Sequence, residues 1–162
     1  MRKFLLFTLI CVIFLGGCTA GRTDKGIYGF TERINLLDES LEMSVEGFIT
    51  DTNEHLFYKF FNFGSAKLML CFTYGDKGEL KKMDISADTH CKDDAAAADF
   101  IENCLSAFIN SEAEMKKLTE DIGLEKALLK NTAETKSAES EHFKLMLDVT
   151  AIGTVITVIN DM

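Results

Sequence analysis

Hydrophobic and polar positions divide the chain into stretches of different period. Residues 4–15 are apolar except for Thr8, with Arg2 and Lys3 before them and Gly16-Gly17 after. Residues 19–26 (TAGRTDKG) carry no large apolar side chain and read as a polar tether. Phe30, Ile34, Leu37 and Leu41 then recur at intervals of four, three and four, the stripe of an amphipathic helix over 30–43. From residue 44 to 86 the period falls toward two. Segments 45–50, Leu56–Phe63, 67–74 and 80–86 are aromatic or β-branched, and turn formers such as Gly64-Ser65 and Gly75-Asp76-Lys77-Gly78 separate them. Connections this short favour antiparallel neighbours, which predicts a meander of three or four strands.

In the third of these segments Leu68, Leu70, Phe72 and Tyr74 share one face, and in the fourth Met83 and Ile85 oppose Lys82 and Asp84. One face is then buried and the other wetter. The second segment breaks this rule: Leu56, Tyr58 and Phe60 point one way, while Phe57, Phe61 and Phe63 point the other. Either this strand is covered on both sides, or Phe57, Phe61 and Phe63 form an apolar surface that receives a partner or a small apolar ligand.

Residues 94–109 resume a helical period. Asp93-Asp94 can cap the start, Ala95 to Ala98 favour helix, and Phe100, Ile101, Cys104, Leu105, Phe108 and Ile109 make a broad stripe suited to a sheet. Ser111-x-x-Glu114 has the spacing of a capping box and Gly123 is a break. A further helix is expected from Leu124 through Ala127, Leu128 and Leu129, and the polar 130–142 reads as exposed helix or loop. Helix is expected again over 143–148, and the β-branched 149–159 is open between strand and buried helix. The whole predicts an α+β domain: N-terminal amphipathic helix, antiparallel three- to four-stranded meander, then several C-terminal helices packed on the sheet.

The first eighteen residues carry a resemblance. Positive start, apolar run and the sequence Leu15-Gly16-Gly17-Cys18 resemble the signal peptide and lipobox of bacterial lipoproteins. A twelve-residue apolar run is short of the roughly 20 residues that a spanning helix needs. The resemblance implies removal of residues 1–17, lipid (diacylglycerol, then an acyl chain such as palmitate) on Cys18, and a membrane anchor made stable by more than one chain. Thr19 rather than Asp follows the cysteine, which implies the outer membrane, facing the periplasm. The expected layout is residues 1–17 as signal peptide, 18–27 as lipidated cysteine and tether, and 28–162 as a single α+β domain. The C-terminal apolar stretch makes about 22 Å of helix against a hydrocarbon core of roughly 30 Å, and Asp148 lies inside it, so no second span is expected.

Removing Arg2 and Lys3 moves the net charge from −9 to −11. That argues against nucleic acid and anionic lipid as partners, and it suits a basic partner or simply keeps the chain soluble. Of five cysteines, Cys71, Cys91 and Cys104 remain after Cys11 leaves with the signal and Cys18 takes lipid. An exported chain permits one bridge among three thiols. Cys91–Cys104 is the nearest pair in sequence, although a helix starting near Asp94 sets them apart; Cys71–Cys104 is the alternative.

The sequence has no P-loop, G-x-G-x-x-G, C-x-x-C, H-E-x-x-H or G-x-S-x-G, and no metal or cofactor is expected. The densest polar cluster is Asp88, His90, Cys91, Asp93 and Asp94. It reads as a strand-to-helix loop with a disulfide cysteine and capping aspartates, or as a site in which His, Cys and carboxylates hold a divalent metal or His90 activates Cys91. Nothing else nominates catalytic residues. The expected function is therefore that of a non-catalytic envelope lipoprotein binding another envelope protein, as an accessory subunit or as an inhibitor or immunity protein. The alternative is a carrier or sensor of a small apolar ligand held between the Phe-rich strand and the helices.

Overall fold

A computed structural model describes residues 26–125 and 133–161. The anchor residues 1–18, most of the tether, and Ala127, Leu128 and Leu129 lie outside the described residues. The fold is α+β, as the sequence predicts. Helix α1 (Ile27–Leu37) leads into two short 3-10 turns and strand β1 (Ile49–Asp51). The meander follows as β2 (Leu56–Phe63), β3 (Ala66–Tyr74) and β4 (Leu80–Asp88). Helices α2 (Ala95–Ile109) and α3 (Glu112–Ile122) come next, then β5 (Glu134–Glu139), β6 (Phe143–Val149) and β7 (Gly153–Asn160).

The seven strands form one antiparallel sheet in the order β1-β2-β3-β4-β7-β6-β5. The C-terminal part therefore corrects the expectation of several helices. Residues 143–148 are the strand β6, most of 149–159 is β7, and β5 lies within the stretch read as exposed helix or loop. The physical reason is visible in the alternation: Phe143, Leu145, Leu147 and Val149 are buried, while Met146 and Asp148 between them are exposed. That period of two belongs to a strand, and Met146 disguised it by filling an outward position with an apolar side chain. The returning strand β7 pairs with β4, from Lys82 opposite Ile159 to Asp88 opposite Gly153, and joins the two halves of the sheet. Gly153 is required at that junction, because a Cβ there would run into the carbonyl oxygen of Ala87.

Among the described residues, α1, α2 and α3 add their apolar stripes to one core built on a single face of the sheet. Leu68, Leu70, Phe72, Met83, Ile85, Leu145, Leu147, Ile156 and Val158 are buried on that face beneath Phe30, Ile34, Phe100, Ile101 and Leu105. Phe72 is the centre of an aromatic cluster, with Phe30 at 4.6 Å, Phe48 at 5.9 Å and Phe108 at 6.2 Å between ring centroids. Lys59 is the one cation pointing the same way from β2. Its ammonium stands 5.3 Å from the centre of the Phe61 ring and 5.8 Å from that of Phe48, so the stem covers apolar surface and the charge meets two π faces.

The helix ends follow the predicted chemistry. Asp94 Oδ1 accepts from the Ala97 N–H at 3.1 Å, and Ser111 Oγ accepts from the Glu114 N–H at 3.4 Å. Gly123 closes α3 in the left-handed conformation, its N–H donating to the carbonyls of Thr119 and Glu120. Glu114 also accepts from the His142 N–H at 3.2 Å, which ties the start of α3 to the β5–β6 turn.

The register predicts how neighbouring substitutions divide. Leu147→Ala and Ile156→Ala each remove a fully buried side chain and should cost about 2–5 kcal/mol by chemical denaturation. Met146→Ala and Val155→Ala, one residue away on the open face, should stay within about 0.5 kcal/mol. Equal losses at all four positions would contradict the strand assignment.

Candidate functional site

Three places merit comparison: the loop before α2, the Phe-rich strand, and a groove on the helix layer. In the loop, residues Thr89–Asp93 make one 3-10 turn between β4 and α2. Asp88 and Asp94 are consumed as caps, accepting from the N–H groups of His90 and Ala97. His90 is exposed, whereas Cys91 is buried with its thiol 3.7 Å from both the Lys67 carbonyl and Asp88. Burial pushes the Cys91 thiol up to about 11 from its ordinary 9.0, and the carboxylate of Asp88 adds to the rise. A nucleophilic cysteine needs the opposite, a thiolate stabilised by a base or a positive field. Among the described residues, no group of three His, Cys, Asp or Glu side chains is arranged to hold a metal ion.

The structure holds Cys71, Cys91 and Cys104 as free thiols, so the Cys91–Cys104 bridge is not formed. Cys104 lies nine residues past Ala95, about 13 Å along α2 at 1.5 Å per residue, while Cys91 sits before the helix begins. Bridged Cα atoms lie about 4.4–6.8 Å apart. Cys71–Cys104 is not joined either: Cys71 belongs to the opposite face of the sheet from Leu70 and Phe72, whose core includes Cys104. Burial raises the pKa of the Cys104 thiol strongly and that of Cys71 more modestly.

On the Phe-rich strand, Phe57, Phe61 and Phe63 point toward the helix side and pack against the core. Phe61 and Phe63 lie 4.5 and 5.2 Å from the Phe100 ring, and Phe57 lies 4.7 Å from Tyr74. Rings thus occupy the space between this strand and α2. The residues left toward solvent are the alternate set, with Phe60 62% and Ile49 52% exposed and Tyr58 edge-on to Phe60 at 6.1 Å. The same open face turns polar further along the sheet. There Asp84 accepts from Thr157 at 2.6 Å and pairs with Lys82 at 2.7 Å.

The groove was not legible in the sequence. It has a volume of about 1000 Å³ and runs across the helix layer between the end of α1, the second half of α2 and the length of α3. Leu36 and Leu37 stand on its α1 wall, 84% and 51% exposed, and Met115 and Leu124 line it from the α3 side. Its volume lies at the upper end of the range for small-molecule sites. Glu102, Glu112, Glu120 and Glu125 also line it, against two cations, Arg33 and Lys116. Arg33 Nε donates to the Ala107 carbonyl at 2.6 Å, and Lys116 lies 3.9 Å from Glu120 one turn on. One hint was present in the sequence: Leu36 falls outside the Phe30, Ile34, Leu37 stripe and so extends the apolar surface beyond what the sheet can cover.

No protein-family model matches the chain, and comparison with curated proteins and with solved structures gives no match.

The thiol chemistry carries a prediction. The fold favours the neutral thiols, so their contribution to stability is intact below pH 9 and is lost as pH rises from 9 toward about 11, where the unfolded chain ionises first. In a Cys71→Ser protein, alkylation of Cys91 should therefore reach half its maximal rate near pH 11 and be unchanged by His90→Ala. A midpoint near neutral pH that His90→Ala abolishes would restore the catalytic reading of that loop.

Proposed function

We propose that the chain is a membrane-anchored lipoprotein of the bacterial cell envelope, non-catalytic, whose α+β domain binds another envelope protein. The observation that carries this reading is Leu15-Gly16-Gly17-Cys18 behind a basic start and a twelve-residue apolar run. Lipid on Cys18 with a short polar tether keeps the domain within a few nanometres of a bilayer, about 26 Å of extended chain. An outer-membrane location facing the periplasm follows from Thr19 after the cysteine. No helix among the described residues is long and apolar enough to cross a membrane.

Two features support binding over catalysis. The Cys91 thiol is held away from the thiolate form by burial and by Asp88, and Asp88 and Asp94 serve as caps, which supports a structural role for the densest polar cluster. Exposed leucines beside an acidic rim, in a chain of net charge −9, suit a macromolecular partner of opposite charge.

Expression in a bacterium supplied with alkyne-tagged palmitate tests the anchor. The full chain should take label, fractionate with membranes, and lack residues 1–17 by mass. Cys18→Ser should remove the label and leave the precursor uncut. A label that survives Cys18→Ser, or an unlabelled soluble product cut elsewhere, would overturn the reading.

A further inference from the structure

The groove on the helix layer has a chemistry more specific than its size. Leu36 and Leu37 are the large hydrophobic side chains that α1 leaves exposed next to α2 and α3, and the burial of Ile34 and Phe30 shows that the sheet has already taken the rest of that helix. Leu36 is 84% exposed, so most of its apolar surface remains to be buried in a complex. Met115 and Leu124 face the same space from α3 and the residues after it, so apolar surface lies on both walls.

The rim has a sign. Glutamates 102, 112, 120 and 125 border the groove, and both cations are already engaged, Arg33 with the Ala107 carbonyl and Lys116 with Glu120. None of α1, α2 and α3 carries a basic residue in its last turn, so neither the α1 nor the α3 terminus at the groove is offset by its own cation. Apolar walls bordered by glutamates reject a neutral lipid-like ligand no more than any pocket does, but they specifically favour a segment that is apolar on one side and cationic on the other.

We propose that this groove is the docking site for a basic amphipathic helix of the partner protein. The proposal rests on the protein-binding role argued above and names the surface and chemistry through which it acts. An apolar stripe at positions i, i+3, i+4 and i+7 lies against Leu36, Leu37 and Met115, while flanking lysines and arginines meet the four glutamates. Apolar contact supplies affinity, and the charges select the partner and speed its capture.

The test uses the intact chain in detergent and a synthetic 16-residue helical probe with leucines on one face and lysines on the other. Its controls are a scrambled peptide of the same composition and a version with glutamate in place of lysine. The basic amphipathic probe should bind and the glutamate version should not. Leu36→Asp, which costs little in folding because the residue is exposed, should weaken binding about tenfold or more, and Glu102→Lys with Glu120→Lys should do the same. Phe60→Asp on the open sheet face should leave binding unchanged. Equal binding of probe and scrambled peptide, no binding at all, or indifference to Leu36→Asp would overturn the proposal. So would self-association in sedimentation that Leu36→Asp abolishes, since the occupant would then be a second copy. A photo-crosslinking residue placed at position 36 or 60 of the membrane-bound chain separates the two claims. A cross-linked protein from position 60 alone overturns the groove and spares the binding role; none from either position counts against both.

Discussion

The contact of Phe72 with three other rings is the constraint on which the remaining structure depends. Phe30 brings α1, Phe48 brings the segment ahead of β1, and Phe108 brings α2 onto the same point of β3. Once that point is fixed, Phe72 defines which face of the sheet is dry. Strand pairing carries the choice outward, because register places Met83 beside Phe72 and Val158 beside Met83, with Leu145 beyond. A slip of one residue in any strand would turn its apolar set to water. The helices therefore cover one face of a seven-stranded sheet, and the other face is left to carry ion pairs and a few exposed apolar side chains.

That division decides what the molecule offers a partner. On the sheet side the polar residues are already satisfied by one another: Asp84 with Lys82 and Thr157, Asp148 with Thr135, and Glu139 with Lys144. On the helix side, α1, α2 and α3 leave between them a groove lined by exposed leucines and four glutamates. Packing three helices against a sheet fixes each of them by its apolar stripe, and it leaves the spaces between their outer faces unconstrained. The groove is a product of that geometry, and its composition is what selects a ligand class.

Much of the first half of the fold was legible in the sequence because punctuation and period agreed there. Leu56–Phe63 was read to the residue, and β3 and β4 were read to within two, since Gly64-Ser65 and Gly75 to Gly78 interrupt clear alternation. The caps at Asp94, Ser111 and Gly123 were legible because each is a local hydrogen bond that the residue makes with its own segment. The C-terminal strands were not, for three physical reasons. Met146 occupies an outward position in β6; β5 (ETKSAE) has only Ala138 to bury; and β7, on which β6 pairs, finds its other partner far away in sequence on β4. The place of these strands in the sheet is set by the pairing of β7 with β4, a non-local fact. The aromatic strand was recognised as unusual, yet which of its faces was covered depended on where α2 lands. The groove, assembled from residues 33 to 125, had no linear signature beyond the extra leucine at position 36.

The order of the strands is the claim from which the dry face, the open face and the position of the helix layer all follow. Phe60, Met69, Ser86, Val155, Asp148 and Thr135 form one row across the open face, each paired with the next. Spin labels at Phe60→Cys and Thr135→Cys, in a chain with Cys71→Ser, measure five strand spacings by pulsed electron resonance. At about 4.8 Å per spacing the backbone separation should be about 24 Å with a narrow distribution. A broad distribution, or a distance near one spacing that would set β5 beside β2, would contradict a sheet in which β7 joins the C-terminal strands to β4.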